Sequence, residues 1–268
     1  MKISVSMWSY RSLIESKKTD YLGFVDEVKR IGGQAFEIFP SHLDQSDPAG
    51  AVRKLAEKAR KEGLEISSLI AGNDFNKATT KERAEQVEKM KWSITTAAAN
   101  GIFLLNSFTG YHIPGTPPVQ EMFRVIDCYK EVMPLAEEKK VRLAIENHSS
   151  VCSDADGLMD LIERVGSPNL GTNPDISNFV PEFARRSETA RNNMYPECER
   201  IAGLAMNAHI KVDEFTDKGE HPHIDIGRYL DILKKTGYDG HMVIEYYGQG
   251  DCALACSQGV KLLKKYIK

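Results

Sequence analysis

The stretch that decides the fold is residues 224–248, which read IDIGRYLDILKKTGYDGHMVIEYYG. Its first part predicts a helix over 224–240 that stops at Gly237, because glycine commonly follows the last turn of a helix. HMVIEYYG, residues 241–248, predicts a buried strand in which Glu245 follows three apolar residues. A helix followed at once by a strand is the repeating unit of an α/β fold.

The same alternation extends through the whole chain. Strands are predicted over 3–8, 34–40, 64–72, 102–110, 141–148, 169–175, 205–214 and 241–248. Helices are predicted over 21–32, 48–63, 81–101, 119–140, 154–166, 181–203 (irregular and interrupted at Pro196), 224–240 and 251–268. Eight units in 268 residues average about 33 residues each, the size of one βα repeat.

Eight such units predict a single (β/α)8 TIM barrel with parallel strands, folded as one domain over residues 1–268. No Pro/Ser-rich linker or block of like charges divides the chain. The alternative architecture is an open, doubly wound sheet. The sequence disfavours it because no G-x-G-x-x-G motif follows the first strand, where a dinucleotide-binding fold would carry one.

Composition excludes several classes of protein. Apolar residues make up 41% and charged residues 27% of the chain, which argues against disorder. A net charge of −3 disfavours nucleic-acid binding, and no apolar run approaches the roughly 18 residues of a membrane span. The N-terminus lacks a signal-peptide pattern, so we expect a cytoplasmic protein whose five cysteines are reduced, with Cys252 and Cys256 as a buried pair.

Polar side chains stand at the carboxyl ends of four consecutive predicted strands, where TIM-barrel active sites lie. These residues are Glu146, Asp175, His209 and Glu245. Their spacings of 29, 34 and 36 residues are each about one βα unit, and neighbouring strands lie about 4.8 Å apart, so the side chains can converge on one ion. Three carboxylates and one imidazole favour Mn²⁺, with Mg²⁺, Co²⁺ or Zn²⁺ also compatible.

Five stretches resemble the xylose-isomerase-like TIM-barrel superfamily of sugar and sugar-phosphate isomerases and epimerases. They are AGNDFN (71–76), AIENH (144–148), NPDISNF (173–179), AHIKVDEF (208–215) and the 224–248 segment. The resemblance implies that Glu146, Asp175, His209 and Glu245 are the four metal ligands. It also implies that Glu146 and Glu245 act as acid and base, as in the ketose epimerase branch.

The sequence departs from that branch at three places. Asn178 stands where epimerases often have a histidine, and Lys211 and Asp213 stand where an arginine is common. Asn106 occupies a position on the fourth strand where close relatives often carry an arginine. The substrate contacts therefore differ, and the resemblance implies the general chemistry rather than the particular sugar.

Further candidates for substrate binding lie near these strand ends: Trp8, Glu37, Phe75, His148, Asn178 and Lys211. His148 and Lys211 each follow a candidate ligand by two residues and so point the same way in a strand. Lys211 could instead pair with Glu37 or Asp213, and Glu37 could orient Lys211 or bind a hydroxyl.

Aromatic and histidine side chains near the same strand ends leave alternatives open. Trp8 and Phe75 could stack on an apolar sugar face or could be ordinary core aromatics. His221 and His223, which follow the seventh strand, are interpreted as surface or lid residues rather than additional ligands.

The site predicts a metal-dependent sugar isomerase or epimerase that abstracts a proton next to a carbonyl. Asp251 is expected to cap the last helix and so to disfavour phosphate, which makes a non-phosphorylated sugar the preferred substrate. The alternative is a lyase or hydrolase that cleaves 3-keto-glycosides by β-elimination. A metal-dependent endonuclease and a non-catalytic sugar-binding barrel are less favoured, and a homo-oligomer is compatible with the exposed helix faces.

Overall fold

Eight strands form in the positions that the sequence predicts. The structure is a computed structural model and describes residues 1–148, 151–180, 184 and 187–267. The strands are β1 Lys2–Ser6, β2 Ala35–Ile38, β3 Glu65–Ile70, β4 Leu104–Ser107, β5 Arg142–Glu146, β6 Leu170–Asn173, β7 Ala208–Val212 and β8 His241–Tyr246. Each one overlaps a predicted strand, so the alternation inferred from the sequence is confirmed.

Helices follow the strands along the chain. They are α1 Arg11–Glu15, α2 Tyr21–Arg30, α3 Pro48–Glu62, α4 Thr80–Ala99, α5 Pro118–Lys139, α6 Ala155–Val165, α7 Glu188–Ile201, α8 Ile226–Lys235 and α9 Cys252–Lys264. Five begin at an aspartate whose carboxylate accepts a hydrogen bond from a free backbone N–H of the first turn: Asp20, Asp47, Asp154, Asp225 and Asp251. The short helix α1 was not predicted.

All strand pairs are parallel, and the strand order around the sheet is β6-β5-β4-β3-β2-β1-β8-β7. The two ends of this sheet meet through single bridges, Thr172 with Ala205 and Asp175 with His209. The backbone N–H of His209 donates to the carbonyl oxygen of Pro174 at 2.9 Å across this seam. The strands therefore curl into the predicted (β/α)8 TIM barrel.

Strand β5 shows how the barrel positions functional groups. Leu143 and Ile145 belong to the apolar core between sheet and helices. Because side chains alternate along a strand, Ala144 and Glu146 face the barrel axis instead. The carboxyl ends of the parallel strands all lie at the same mouth, so inward polar residues near those ends come together.

Helix α7 differs from the prediction. It runs without a break from Glu188 to Ile201 although Pro196 lies inside it, so the predicted interruption is wrong. Proline removes a single backbone donor, and the buried side chains of Tyr195 and Cys198 on either side of it anchor the helix to the core. Residues 181–183 and 185–186, in the first part of the predicted helix, lie outside the described residues.

The cysteines carry free thiols, and Cys252 and Cys256 are both buried on α9, as predicted. Within the described part of the chain, no helix combines the length and the apolar composition that a membrane crossing requires.

Candidate metal centre and active site

The four predicted ligands meet at the carboxyl mouth of the barrel. We call Glu146, Asp175, His209 and Glu245 the ligand cluster. All four side chains are buried, and one donor atom from each lies within 4.8 Å of the others. Adjacent pairing of β5 with β6 and of β7 with β8, together with the bridge between Asp175 and His209, places them on neighbouring chain segments. The cluster could therefore hold one metal ion.

His209 is oriented for coordination by a buried partner. Its Nε2–H donates to the Oε1 atom of Glu37 at 3.1 Å, so the neutral imidazole would carry its lone pair on Nδ1. The Nδ1 atom is buried, lies 3.5 Å from a carboxylate oxygen of Glu146, and has no hydrogen-bond partner in the described residues. A metal ion among the four ligands would satisfy this atom, so the residues present fit a metal site.

Glu37 pairs with His209 and two serine hydroxyls in the barrel interior. Its side chain is fully buried and accepts hydrogen bonds from Ser6 Oγ at 2.8 Å and Ser68 Oγ at 2.7 Å as well as from His209. Burial opposes ionisation, but His209 and the two hydroxyls hold the pKa of Glu37 below its usual value. Its contacts go to His209 rather than to Lys211, and it is absent from the described cavity lining, so a hydrogen bond from Glu37 to a substrate hydroxyl stays a prediction.

Lys211 lies inside the cluster and pairs with its carboxylates rather than with Glu37 or Asp213. Its Nζ donates to Asp175 Oδ2 at 2.5 Å and lies 3.5 Å from Glu245 Oε2. Burial would lower the pKa of Lys211, but the surrounding carboxylates raise it, so the ammonium stays charged. The lysine therefore balances negative charge within the ligand cluster.

Two amides hold the carboxylate of Glu146. Asn106 Nδ2 donates to Oε2 at 2.9 Å, and Asn178 Nδ2 donates to Oε1 at 3.1 Å. The Oδ1 atom of Asn178 accepts from Lys211 Nζ at 2.8 Å, so this amide links the lysine to Glu146. Asn178, predicted to bind substrate, thus lies at the site and also fixes two of its charged groups.

Ionisation differs sharply among the ligands. Burial raises the pKa of Glu245 to about 7. For Asp175, burial is opposed by the Lys211 ammonium, and its pKa is lowered. Burial would lower the pKa of His209, but Glu37 and Glu146 outweigh it and raise the pKa to about 10. Without a metal ion the imidazole is thus protonated at neutral pH, and a metal ion must displace that proton to bind.

A cavity of about 330 Å³ extends from the ligand cluster toward the barrel mouth. Glu146, Glu245 and His148 contribute polar groups to its lining. Aromatic rings form much of the remaining wall: Trp8, Phe39, Phe108, Tyr111 and Tyr247. Trp8 and His148 therefore lie where a ligand could touch them, and their contact with substrate stays a prediction.

Phe75 and the two loop histidines lie elsewhere. Phe75 is fully buried and packs edge-on against Tyr129 with ring centroids 4.9 Å apart, so it is a core residue and not a stacking platform. His221 Nδ1 accepts from the backbone N–H groups of His223 and Ile224 and its Nε2 contacts the carbonyl oxygen of Lys211. These bonds shape the loop after β7, and the ligand cluster does not include either histidine.

A family model described as the xylose isomerase-like TIM barrel matches residues 25–266. The chain belongs to this family. Among curated protein sequences no significant match was found.

Solved structures of similar fold agree with the family. The chain resembles IolI protein with a binding zinc atom at 17% identity, with all of both chains covered and a TM-score of 0.78. A D-tagatose 3-epimerase-like protein is 19% identical over 100% of this chain and 97% of the other, with a TM-score of 0.76. L-ribulose 3-epimerase is 16% identical over 99% and 94%, with a TM-score of 0.74. At these identities the likeness shows the fold alone.

The xylose isomerase-like barrel of this chain also has cavity residues that were not predicted from the sequence. Phe39, Phe108 and Tyr247 each follow directly after a strand, as Trp8 nearly does, and each lines the cavity. A search for aromatic residues at the first positions after strands would have found them. Asn106 was noted only as a departure from relatives, although its position within β4 places it against Glu146.

Proposed function

We propose that this protein is a divalent-metal-dependent isomerase or epimerase that moves a proton next to the carbonyl of a small, neutral sugar. The observation that carries the proposal is the convergence of the ligand cluster within 4.8 Å beside a cavity of about 330 Å³. That volume is near the lower end of the roughly 300–1,000 Å³ of small-molecule sites, which suits a monosaccharide. Mn²⁺ is the favoured ion for three carboxylates and one imidazole.

The acid–base work falls to two glutamates. A divalent ion bound by the cluster supplies polarisation of a substrate carbonyl, which makes the neighbouring C–H acidic. Glu146, on β5, and Glu245, on β8, line the cavity from strands that lie three positions apart around the barrel. Their carboxylates therefore approach a bound sugar from different sides, so that one removes a proton and the other returns one.

Two further residues serve the developing oxygen charge. The Lys211 ammonium lies 3.8 Å from Glu146 and 3.5 Å from Glu245, close enough to balance negative charge on an oxygen between them. His148 lines the cavity and can hydrogen-bond a hydroxyl. Both roles use a polar group at the place where the charge or hydroxyl would lie.

The charge of the cavity supports a neutral substrate. Its described lining contains neither lysine nor arginine, and the ammonium of Lys211, beside the cavity, is already paired with Asp175. Asp251 caps α9 by accepting from the backbone N–H of Leu254 at 3.0 Å, which occupies the helix terminus nearest the glycines after β8. A phosphate group would meet that carboxylate instead of free N–H groups.

The proposal is tested with a ketohexose panel in D₂O containing Mn²⁺, followed by NMR. We expect solvent deuterium at the epimerised or isomerised carbon. Glu146→Gln and Glu245→Gln should each lower kcat by about 10²–10⁴-fold, and the exposed Glu163→Gln serves as the matched control. Metal content is measured in each variant, because a variant that keeps its metal and loses turnover separates proton transfer from coordination. Wild-type turnover by either active-site variant would refute the assignment.

A lyase that acts on 3-keto-glycosides is the second candidate. Proton abstraction beside a ketone is also the first step of β-elimination, and the aromatic rings around the cavity offer a surface for an apolar aglycone. Incubation with a 3-keto-glycoside distinguishes the two reactions, since a lyase releases the aglycone whereas an epimerase returns an intact glycoside.

A further inference from the structure

The polar side chains of the AGNDFN motif at 71–76 form hydrogen bonds with a neighbouring loop. Asn73 Oδ1 accepts from the backbone N–H of Phe108 at 3.0 Å, and its Nδ2 donates to the carbonyl oxygen of the same residue at 2.5 Å. Asp74 Oδ1 accepts from the backbone N–H of Tyr111 at 3.3 Å, and Asn76 Nδ2 donates to the Tyr111 carbonyl oxygen at 2.8 Å. The motif thus ties down the loop that follows β4.

Glu121, in the first turn of α5, holds the same loop from its other end. Its buried carboxylate accepts from the backbone N–H of Ile113 at 2.6 Å and from Asn76 Nδ2 at 2.9 Å, and contacts His112 Nδ1 at 2.6 Å. Burial opposes ionisation, but these donors hold the pKa of Glu121 below its usual value. We call Asn73, Asp74, Asn76 and Glu121 the loop brace.

The braced segment, residues 108–113, carries two aromatic rings that line the cavity, Phe108 and Tyr111. Tyr111 is 60% exposed although its backbone is bonded on both sides, so the ring is held out toward solvent by its loop. Gly110 has φ of +113°, and a Cβ there would overlap the Asp74 carboxylate. Such close packing indicates a fixed wall.

We propose that the loop brace consists of positioning residues, and that Tyr111 is a specificity-determining residue whose ring packs against the apolar C–H face of the sugar. The inference rests on the proposed function and deepens it, because it places the apolar C–H face of the sugar on the Tyr111 side of the cavity. Glu121 is absent from the described cavity lining and acts through the loop. Because the reacting atoms are held by residues at other strand ends, loss of the brace should affect substrate binding more than the chemical step.

Kinetics with the ketohexose panel test whether Tyr111, held by the loop brace, contributes to sugar binding. Tyr111→Ala and Glu121→Ala should each raise KM about tenfold and leave kcat within about twofold. Glu121→Gln should retain most of the wild-type KM, because its amide oxygen still accepts from Ile113 N–H. Phe123→Ala, an exposed aromatic on α5 outside the cavity lining, is the matched control and should change neither constant. A fall in kcat at constant KM would overturn the proposal.

Hydrogen exchange tests the brace without turnover. With Mn²⁺ and no sugar present, the amides of residues 108–113 should exchange at least tenfold faster in Glu121→Ala than in the wild type or in Glu121→Gln, while the affinity for Mn²⁺ stays the same. Unchanged exchange refutes the brace. Calorimetric titration of D-fructose into the wild type and Tyr111→Ala tests the wall when no sugar is turned over; equal affinities, or no binding to the wild type, refute it.

Discussion

Replacement of Glu37 by glutamine should weaken Mn²⁺ binding although Glu37 is not a ligand. Its carboxylate receives the Nε2–H of His209 and is held by the hydroxyls of Ser6 and Ser68. This contact keeps the imidazole in the tautomer whose Nδ1 lone pair faces the ligand cluster, and it makes that lone pair more basic. Glu37→Gln leaves the shape nearly unchanged but removes the charge.

The expected loss follows from two opposing effects. Carboxylate partners of metal-binding histidines are worth about 10- to 100-fold in metal affinity, or about 1.4–2.7 kcal/mol. The same carboxylate helps to raise the pKa of His209 to about 10, so its loss also weakens the competing proton. Because the ion carries two charges and the proton one, the metal loses more than the proton does. We therefore expect the Kd for Mn²⁺ to rise about 10- to 100-fold.

Isothermal titration of the metal-free protein with Mn²⁺ at pH 8, in two buffers of different ionisation enthalpy, gives both the Kd and the protons released. The wild type should release about one proton per ion, because the pKa of His209 lies above the working pH. Ser68→Ala, which removes one hydroxyl and keeps the histidine contact, is the control and should stay within about threefold. A Glu37→Gln Kd within twofold of wild type, or no proton release by the wild type, would contradict the reasoning.

Two further changes have opposite expected effects. Lys211→Met removes the cation bonded to Asp175, so it should tighten Mn²⁺ binding about tenfold in calorimetry. In urea unfolding of the metal-free protein, the same change should lower the free energy of unfolding by about 3–5 kcal/mol. Weaker metal binding would count against the described pairing. Gly110→Ala should lower the free energy of unfolding by more than about 1 kcal/mol in urea, because the new Cβ meets Asp74 and the backbone of Asn76. Gly115 also has a positive φ but has open space around it, so Gly115→Ala should lower that free energy by about 1 kcal/mol or less. Equal losses of stability would argue against close packing at residue 110.

The ligand cluster could be found from the sequence because the relevant information is local and periodic. Each strand is a short apolar run, and a polar residue near its end is costly unless it has a function. The near-constant interval between Glu146, Asp175, His209 and Glu245 then follows from the βα repeat, and the barrel brings equal positions of successive strands together.

Which side chains pair inside the barrel could not be predicted from the sequence in the same way. Lys211 has several carboxylates within reach, and the selection of Asp175 over Glu37 depends on side-chain positions across the barrel interior. Phe75 looks like Trp8 in the sequence, since both come just after a strand, but the segment after β3 turns its ring under α5. Helix α7 continues through Pro196 because tertiary packing outweighs a local signal.

The seam between β6 and β7 gives the metal site a mechanical meaning. The sheet closes there through only two single bridges in the described residues, and one of them joins Asp175 to His209. An ion coordinated by both side chains would cross-link the two edges of an otherwise continuous sheet. The same ion would then serve both catalysis and barrel closure. Removing it would weaken the closure of the barrel at the place where the substrate is bound.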